Sequence, residues 1–156
     1  MKFSSREDIE APQERVFELL CDFKAAERSA TRRGVDVRRT DTLSDAAAVG
    51  MSWDAAFWMR GRKRKLDLQL AELDHPNAMT FNASSSNIFG VFSIELVPLS
   101  RKRTRMAVAL EVSPKTLSAR LLIQSLRVAK SSLTKRYKLR IAEYARQLEK
   151  SLLEAT

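Results

Sequence analysis

A dense run of positive charge occupies residues 60–66, where the sequence reads RGRKRKL, and five of its first six side chains are basic. Clusters of this kind can contact the phosphate groups of nucleic acid or of anionic lipid. No stacking aromatic residues interleave with the basic ones, and no recognised nucleic-acid-binding module surrounds them. Gly61 instead separates two segments of alternating polarity, which predicts a hairpin with a solvated, charged tip. Nucleic-acid binding is therefore the lower-ranked interpretation.

A second basic cluster comprises Arg101, Lys102, Arg103 and Arg105 and marks another predicted hairpin. In an antiparallel meander the two connections lie at opposite ends of the sheet, so the clusters would not form one continuous footprint. The net charge of +9 and the pI near 10.1 are compatible with nucleic acid, anionic lipid surfaces or acidic ligands. Charge alone does not choose among these partners.

Residues that carry catalysis or bind metal are sparse. His75, the single histidine, lies in LDHPNAM, where its neighbours predict a surface turn rather than a general base. Cys21, the single cysteine, lies in the apolar helical pattern VFELLCDF, which favours a buried hydrophobic role over a reactive thiol. No zinc site of normal composition, phosphate-binding glycine loop or nucleophile elbow is present. We therefore predict no catalytic residue, metal or cofactor.

One polar cluster lies where two predicted strands meet, and it comprises Asn82, Ser84, Ser85, Ser86 and Asn87. Polar groups at that position could face a ligand. A turn rich in serine and asparagine is the more economical interpretation.

Size and composition indicate one globular domain over residues 1–156. The chain has a mass of 17.7 kDa, with 44% hydrophobic and 30% charged residues. Residues 1–15 lack the apolar stretch of a signal peptide, and no segment has the roughly 18 apolar residues of a membrane span. We expect a cytoplasmic protein.

The first part of the chain predicts one strand and two short helices. Residues 2–10 alternate imperfectly as a strand does, and Pro12 then suits the first turn of a helix. Apolar residues at helical spacing extend that helix to Asp22 or Phe23. A second helical piece over residues 25–33 ends at Gly34, a natural left-handed cap.

Six strand-like segments follow. Within residues 51–60, for example, Trp53, Phe57 and Met59 face one way while Ser52 and Asp54 face the other. Short strands with one apolar face predict an antiparallel meander whose second face meets water. The segments cover residues 35–41, 51–60, 65–73, 78–85, 88–96 and 101–112.

The final segment predicts a long amphipathic helix that begins after Pro114 and covers the apolar face of the sheet. At 1.5 Å per residue, about 37 residues would extend roughly 55 Å, which exceeds a compact domain of about 40 Å. The helix must bend, overhang or pack on a partner such as a second copy. We place the kink at residues 130–132, Lys-Ser-Ser. The predicted stripe comprises Leu117, Leu121, Leu122, Leu126, Ala129, Leu133, Tyr137, Ile141, Tyr144, Leu148 and Leu152.

This order of elements resembles the helix-grip domains of the START-like superfamily, in particular the bacterial polyketide cyclase/dehydrase and lipid-transport group known as SRPBCC proteins. The segment DIEAPQERVFELLCDF is similar to that group's opening, and GMSWDAAFWMRGRKRKLDLQLAELDHPNAMTF is similar to its central hairpin. The resemblance implies an α+β fold in which a curved antiparallel sheet wraps around the long C-terminal helix. Two short helices follow the first strand.

The same resemblance implies a cavity between sheet and helix that binds a lipid, a polyketide or another hydrophobic molecule. Apolar walls with few polar anchors suit such a ligand. The alternative is that these residues fill a solid core. The implied lining residues are Trp53, Phe57, Met59, Leu66, Leu68, Met79, Phe81, Phe92 and Ile94 from the sheet and Leu122 and Leu126 from the helix.

Three functions follow in order of preference. The first is non-enzymatic binding or transport of a hydrophobic small molecule, and the second is a polyketide cyclase/dehydrase-like activity on such a ligand. The third is a basic adaptor for nucleic acid or protein. Basic residues also dominate the outer face of the last helix, which could attract an anionic membrane surface. These residues are Lys130, Lys135, Arg136, Lys138, Arg140, Arg146 and Lys150.

Overall fold

The structure is a computed structural model that describes residues 1–154. Its first elements are β1 (Lys2–Ile9), α1 (Gln13–Leu20) and α2 (Phe23–Arg32). Pro12 precedes α1 in an extended conformation, so its missing N–H removes no helical hydrogen bond. The Asp22 side chain caps α2 by accepting a hydrogen bond from the backbone N–H of Ala25 at 3.2 Å. The predicted strand and two short helices are therefore present.

The other strands are β2 (Asp36–Arg39), β3 (Ser52–Met59), β4 (Arg62–Asp74), β5 (Ala78–Ser84), β6 (Ile88–Ser100) and β7 (Arg103–Pro114). The seven strands form one curved antiparallel sheet in the order β1-β7-β6-β5-β4-β3-β2. Each strand from β2 to β7 pairs with the next along the chain, and β1 closes the row against β7. The predicted meander is confirmed.

Strand register divides the sheet into two faces. Trp53 pairs with Leu68 and Leu68 pairs with Ala83, so these three side chains lie on one side, which we call the inner face. Asp54 pairs with Asp67 on the opposite side, the outer face. The helices pack on the inner face, as the apolar alternation of β3 predicts.

The RGRKRKL run forms the tip of the β3–β4 hairpin. Arg60 and Gly61 connect the two strands with positive φ angles of 53° and 75°, the geometry of a tight two-residue hairpin turn. The last pair between β4 and β5 joins Asp67 to Ser84, so the hairpin projects roughly 17 Å beyond β5. The Arg101–Lys102 connection lies at the opposite end of the sheet. The two basic clusters are therefore separate, as expected.

The C-terminal helix is divided in two. It consists of α3 (Leu117–Leu126), a 3-10 turn (Arg127–Ala129) and α4 (Lys130–Glu154). The predicted position of the kink, residues 130–132, is wrong because these residues form the first turn of α4. The break instead occupies the preceding three residues, where Val128 is almost fully exposed.

The face that α3 buries differs from the face that the predicted stripe would bury. Ala119 and Ile123 are its buried residues, whereas Leu117 and Leu121 are exposed. Because the 3-10 turn separates the two helices, α3 does not continue the apolar stripe of α4. Tyr144, assigned to the stripe of α4, is also exposed, beside buried Ala145. The prediction is thus correct for α4 at Ile141, Leu148 and Leu152 and wrong for much of α3.

The packed core lies where α1 and α4 meet the inner face. α4 packs along β1, and the Tyr137 hydroxyl donates a hydrogen bond to the Val108 carbonyl oxygen at 2.8 Å. Thr104, fully buried, donates to the Ala11 carbonyl oxygen at 2.8 Å. The core comprises Ile9, Ala11, Val16, Phe17, Leu20, Met51, Trp53, Leu70, Met79, Ile94, Leu96, Met106, Val108, Ile141, Ala145, Leu148 and Leu152.

Candidate ligand groove

A second apolar region lies on the inner face toward the β3–β4 hairpin, beside the packed core. We call it the inner groove and define it by Trp53, Phe57, Leu66, Leu68, Phe81, Ala83, Gly90 and Phe92. Phe57, Leu66, Leu68, Phe81 and Phe92 are all only half-buried. Apolar side chains in a solid core are usually covered completely, so the groove is an incompletely covered part of the inner face.

Small residues lie at the centre of the groove. One row across the sheet reads Trp53, Leu68, Ala83, Gly90 and Val112, from β3 to β7. The middle of this row carries only a methyl group and a hydrogen atom. A Cβ at Gly90 would lie 3.8 Å from the Cβ of Ala83 and 3.7 Å from the Glu111 carbonyl oxygen, an ordinary contact. Glycine is therefore not required here by crowding, and it leaves the floor of the groove low.

Aromatic rings form one wall of the groove. The ring of Phe23, on α2, lies edge-on to Trp53 at 5.4 Å and to Phe81 at 5.9 Å between centroids. Phe81 also lies 6.5 Å from Phe92 on the neighbouring strand. Pairs at these distances favour tilted and edge-to-face packing, which fixes the ring orientations. The wall is thus an ordered apolar surface.

α2 lies over this wall, and a hydrogen bond holds it there. The indole Nε1 of Trp53 donates to Glu27 Oε1 at 2.7 Å. No residue of α2 is buried, although Phe23 and Glu27 face the sheet and are half-buried. The helix therefore contacts the inner face through these two side chains. Its remaining residues leave the half-buried groove residues outside its contacts only partly covered.

The eleven sequence-predicted lining residues have different environments. The nine from the sheet all lie on the inner face. Trp53, Met79 and Ile94 are buried, and all three belong to the core cluster, with Trp53 at its border with the groove. Met59, near the hairpin tip, is 51% exposed. On the helix, Leu122 is 43% exposed and Leu126 is half-buried.

Sequence reasoning missed Phe23, Glu27, Ala83 and Gly90 as groove residues. The strand alternation places Ala83 and Gly90 on the same side as Phe81 and Phe92, so these two carried a usable signal. Phe23 and Glu27 are one helical turn apart, which puts them on one face of α2. Nothing in the local sequence shows that this face lies over Trp53.

Two depressions lie on the surface. One of about 310 Å³ lies mainly on the outer face, where polar side chains such as Asp54, Asp67 and Asn82 line it together with Phe89 and parts of Trp53 and Leu68. Another of about 540 Å³ is lined by residues of β1, β6 and β7, among them Ser4, and by Lys138 of α4. Both are open, and polar side chains supply most of the residues that line each of them. An apolar ligand is better matched by the apolar side chains of the inner groove.

The remaining polar candidates have structural roles. Ser85 accepts hydrogen bonds from the backbone N–H groups of Asn87 and Ile88, which forms the β5–β6 turn. His75 lies in the exposed β4–β5 turn with its ring 4.9 Å from that of Phe17. Cys21 is half-buried against the core, and burial raises the pKa of its thiol. These side chains are therefore not assembled into a reactive site.

The basic residues of the last helix are exposed to solvent. The seven predicted basic residues on α4 are all exposed. Within residues 1–154, no cluster of three or more His, Cys, Asp or Glu side chains has metal-binding geometry. No helix in the same range is long and apolar enough to cross a membrane.

No protein-family model matches the sequence, and no curated protein matches it. Solved structures do match. A START superfamily protein from Mycobacterium smegmatis has a TM-score of 0.57 and 14% identity, over 86% of this chain and 95% of that chain. The Zhui aromatase/cyclase from Streptomyces sp. R1128 has a TM-score of 0.60 and 11% identity, over 86% and 88%.

Norcoclaurine synthase from Thalictrum flavum, solved with dopamine and hydroxybenzaldehyde, has a TM-score of 0.69 and 12% identity, over 100% of this chain and 88% of that chain. The chain has the START-like helix-grip fold. The predicted fold class is therefore confirmed. At these identities the similarity establishes the START-like fold alone, so function has to be argued from the inner groove itself.

Proposed function

We propose that the chain binds and carries a hydrophobic small molecule, lipid-like or polyketide-like, in the inner groove, as a single cytoplasmic domain. The observation that supports this most directly is the groove itself: half-buried apolar residues surround the small residues Ala83 and Gly90 on an ordered sheet face. START-like relatives in fold include an aromatase/cyclase and a synthase solved with two aromatic compounds. An apolar concave site of this type is the usual location of ligands.

The free energy of binding would come mainly from covering apolar surface. Each 100 Å² of apolar area removed from water contributes about 2.5 kcal/mol before the entropy costs of association. Aromatic rings already held at Phe23, Trp53 and Phe81 need little further ordering when a ligand binds. A preorganised groove therefore favours a rigid or long apolar molecule.

Intrinsic fluorescence tests this proposal directly. Trp53 is 5% exposed and borders the groove, whereas Trp58 is 72% exposed at the hairpin. Trp58→Phe thus leaves Trp53 as the single tryptophan reporter. We expect titration of this variant with a fatty-acid-like polyene probe to give saturable energy transfer from Trp53. A linear, unsaturable response would contradict binding in the groove.

Catalysis is the second candidate function, and one observation favours it. Glu27 places a carboxylate beside an apolar groove, within hydrogen-bond distance of Trp53. Carboxylates in such positions can act as general acids or bases. If a polyketide-like substrate is converted, Glu27→Gln should abolish turnover while ligand binding persists. Equal turnover by wild type and by Glu27→Gln would show that Glu27 takes no part in the reaction.

An anionic membrane is the proposed partner of the α4 surface. The seven exposed basic residues of α4 provide the charge, each contributing about 1 kcal/mol near such a surface. Co-sedimentation with vesicles containing phosphatidylserine should fall when Lys135 and Lys138 are changed to Glu. Co-sedimentation that is unaffected by salt and by these changes would contradict the proposal.

Self-association is the other proposed partnership, and the exposed apolar residues of α3 could contact a second copy of the chain. A dimer of this kind would be detected by analytical ultracentrifugation.

A further inference from the structure

The basic run RGRKRKL divides between the two faces of β4. Arg64 pairs with Phe57 and Arg62 pairs with Met59, on the inner face. Lys63 and Lys65 alternate with them and lie on the outer face, opposite Trp58 and Ala56. The two arginines therefore lie on the same face as the inner groove, and the two lysines do not.

Arg64 has no carboxylate to neutralise it. Its Nε is fully buried and lacks a hydrogen-bond partner, and Arg64 forms none of the ion pairs found within residues 1–154. Some other arginines in the sheet are paired, for example Arg39 with Asp41 and Arg105 with Asp8. Buried N–H groups normally have partners, so a half-buried guanidinium with an unpartnered Nε–H and no ion pair is suited to an anion from outside the chain.

Apolar residues continue from Arg64 directly into the groove. Leu66 and Leu68 follow it on the inner face of β4, with Ala55 and Trp53 opposite them on β3. Successive inner-face residues of a strand are about 6.6 Å apart, so the path from Arg64 to the Leu68 row is roughly 13 Å. A cationic group thus lies at one end of an apolar track.

We propose that Arg64 binds the anionic head of an amphiphilic ligand whose apolar tail lies along the inner groove. This inference rests on the proposed function and specifies its ligand class: a long-chain molecule with a terminal carboxylate or phosphate. The planar guanidinium matches either oxyanion with two parallel hydrogen bonds. Arg62, exposed on the same face, adds positive charge at the entrance.

Affinity for matched probes separates this inference from the proposed function. The probes are palmitate, hexadecyl phosphate and hexadecanol, which share a sixteen-carbon chain, each measured below its aggregation concentration by displacement of a neutral fluorescent lipid. We expect Arg64→Gln to lower the affinity for palmitate or for hexadecyl phosphate by about tenfold or more. The affinity for hexadecanol should change by no more than about twofold. Whichever anion loses more identifies the head group.

Lys65→Gln is the matched control, because it removes the same charge from the outer face of the same strand. Equal losses for Lys65→Gln and Arg64→Gln would overturn the inference in favour of diffuse electrostatic attraction. Arg64→Lys keeps the charge but loses the planar fork, and we expect an intermediate affinity. If anions and alcohol bind wild type equally, only this inference fails. If no probe binds, the proposed function fails as well.

Discussion

Glu27 of α2 accepts a hydrogen bond from the Trp53 indole of β3 at 2.7 Å, and this bond connects a helix that has no buried residue to the floor of the sheet. Trp53 itself is 5% exposed, so its N–H has little access to water. The bond therefore both satisfies a buried donor and holds α2 against the inner face at Trp53.

Removal of the Glu27 acceptor should destabilise the protein. We expect Glu27→Ala to lower the free energy of unfolding by about 1–3 kcal/mol, because the Trp53 N–H is left without its partner. Glu27→Gln keeps an acceptor oxygen at the same distance and should lose less. Chemical denaturation of both variants measures the difference. Equal losses would mean that the hydrogen bond does not hold α2 in place.

Gly90→Ala should change stability and ligand affinity in opposite directions. The added Cβ meets only ordinary contacts, and alanine costs less backbone entropy than glycine in a strand, so stability should rise by up to about 1 kcal/mol. The same methyl group raises the groove floor and should weaken ligand binding. Gly34→Ala is a contrasting control, because its φ of 87° makes alanine strained at a site outside the groove. Tighter binding by Gly90→Ala would contradict the placement of the groove.

Phe57→Ala distinguishes a groove from a solid core. Phe57 is half-buried, so we expect a stability loss of about 1–2 kcal/mol together with weaker ligand binding. Leu70→Ala, at a fully buried core position, should lose about 2–5 kcal/mol by comparison. Thermal denaturation and probe titration measure the two effects. A loss of about 3–5 kcal/mol for Phe57→Ala without any ligand would indicate a solid core.

Asp41 should make the native state sensitive to acid. Hydrogen bonds from Arg39 and from the backbone N–H groups of Ser52 and Leu43 hold the pKa of its carboxyl well below the ordinary value. A lowered pKa stabilises the folded state above the unfolded pKa, and this contribution is lost as the pH falls below it. The stability advantage of wild type over Asp41→Asn should therefore shrink from about pH 5 to about pH 2. If the free energies of unfolding of wild type and Asp41→Asn fell in parallel as the pH is lowered, this role of Asp41 would be refuted.

The sheet was predictable because its signal is local. Alternation in β3 places Trp53 and Phe57 on one face whatever the rest of the chain does, and Gly61 predicts the tight turn that the structure has. Ile141 and Leu148 likewise follow helical spacing on α4. The spacing of apolar residues and the residue types at turns were therefore enough to predict the strands and α4.

The groove required tertiary information. Leu122 fits a continuous helical stripe, yet it is 43% exposed because the 3-10 turn gives α3 its own orientation. Met79 and Ile94 share a face with Phe81 and Phe92, but the first pair is buried and the second pair is only half-buried against the core. Alternation identifies a face and does not show which part of it a helix covers. Glu27 was missed for the same reason.

Native mass spectrometry of the protein purified from its own source tests the central claim most directly. The account predicts a stoichiometric adduct that organic extraction releases and that is identified as a hydrophobic molecule, with less adduct on Phe57→Ala. Incubation with a broad lipid extract should restore the adduct to protein that has been stripped of it. A clean apo mass before and after that incubation would contradict a ligand-carrying groove.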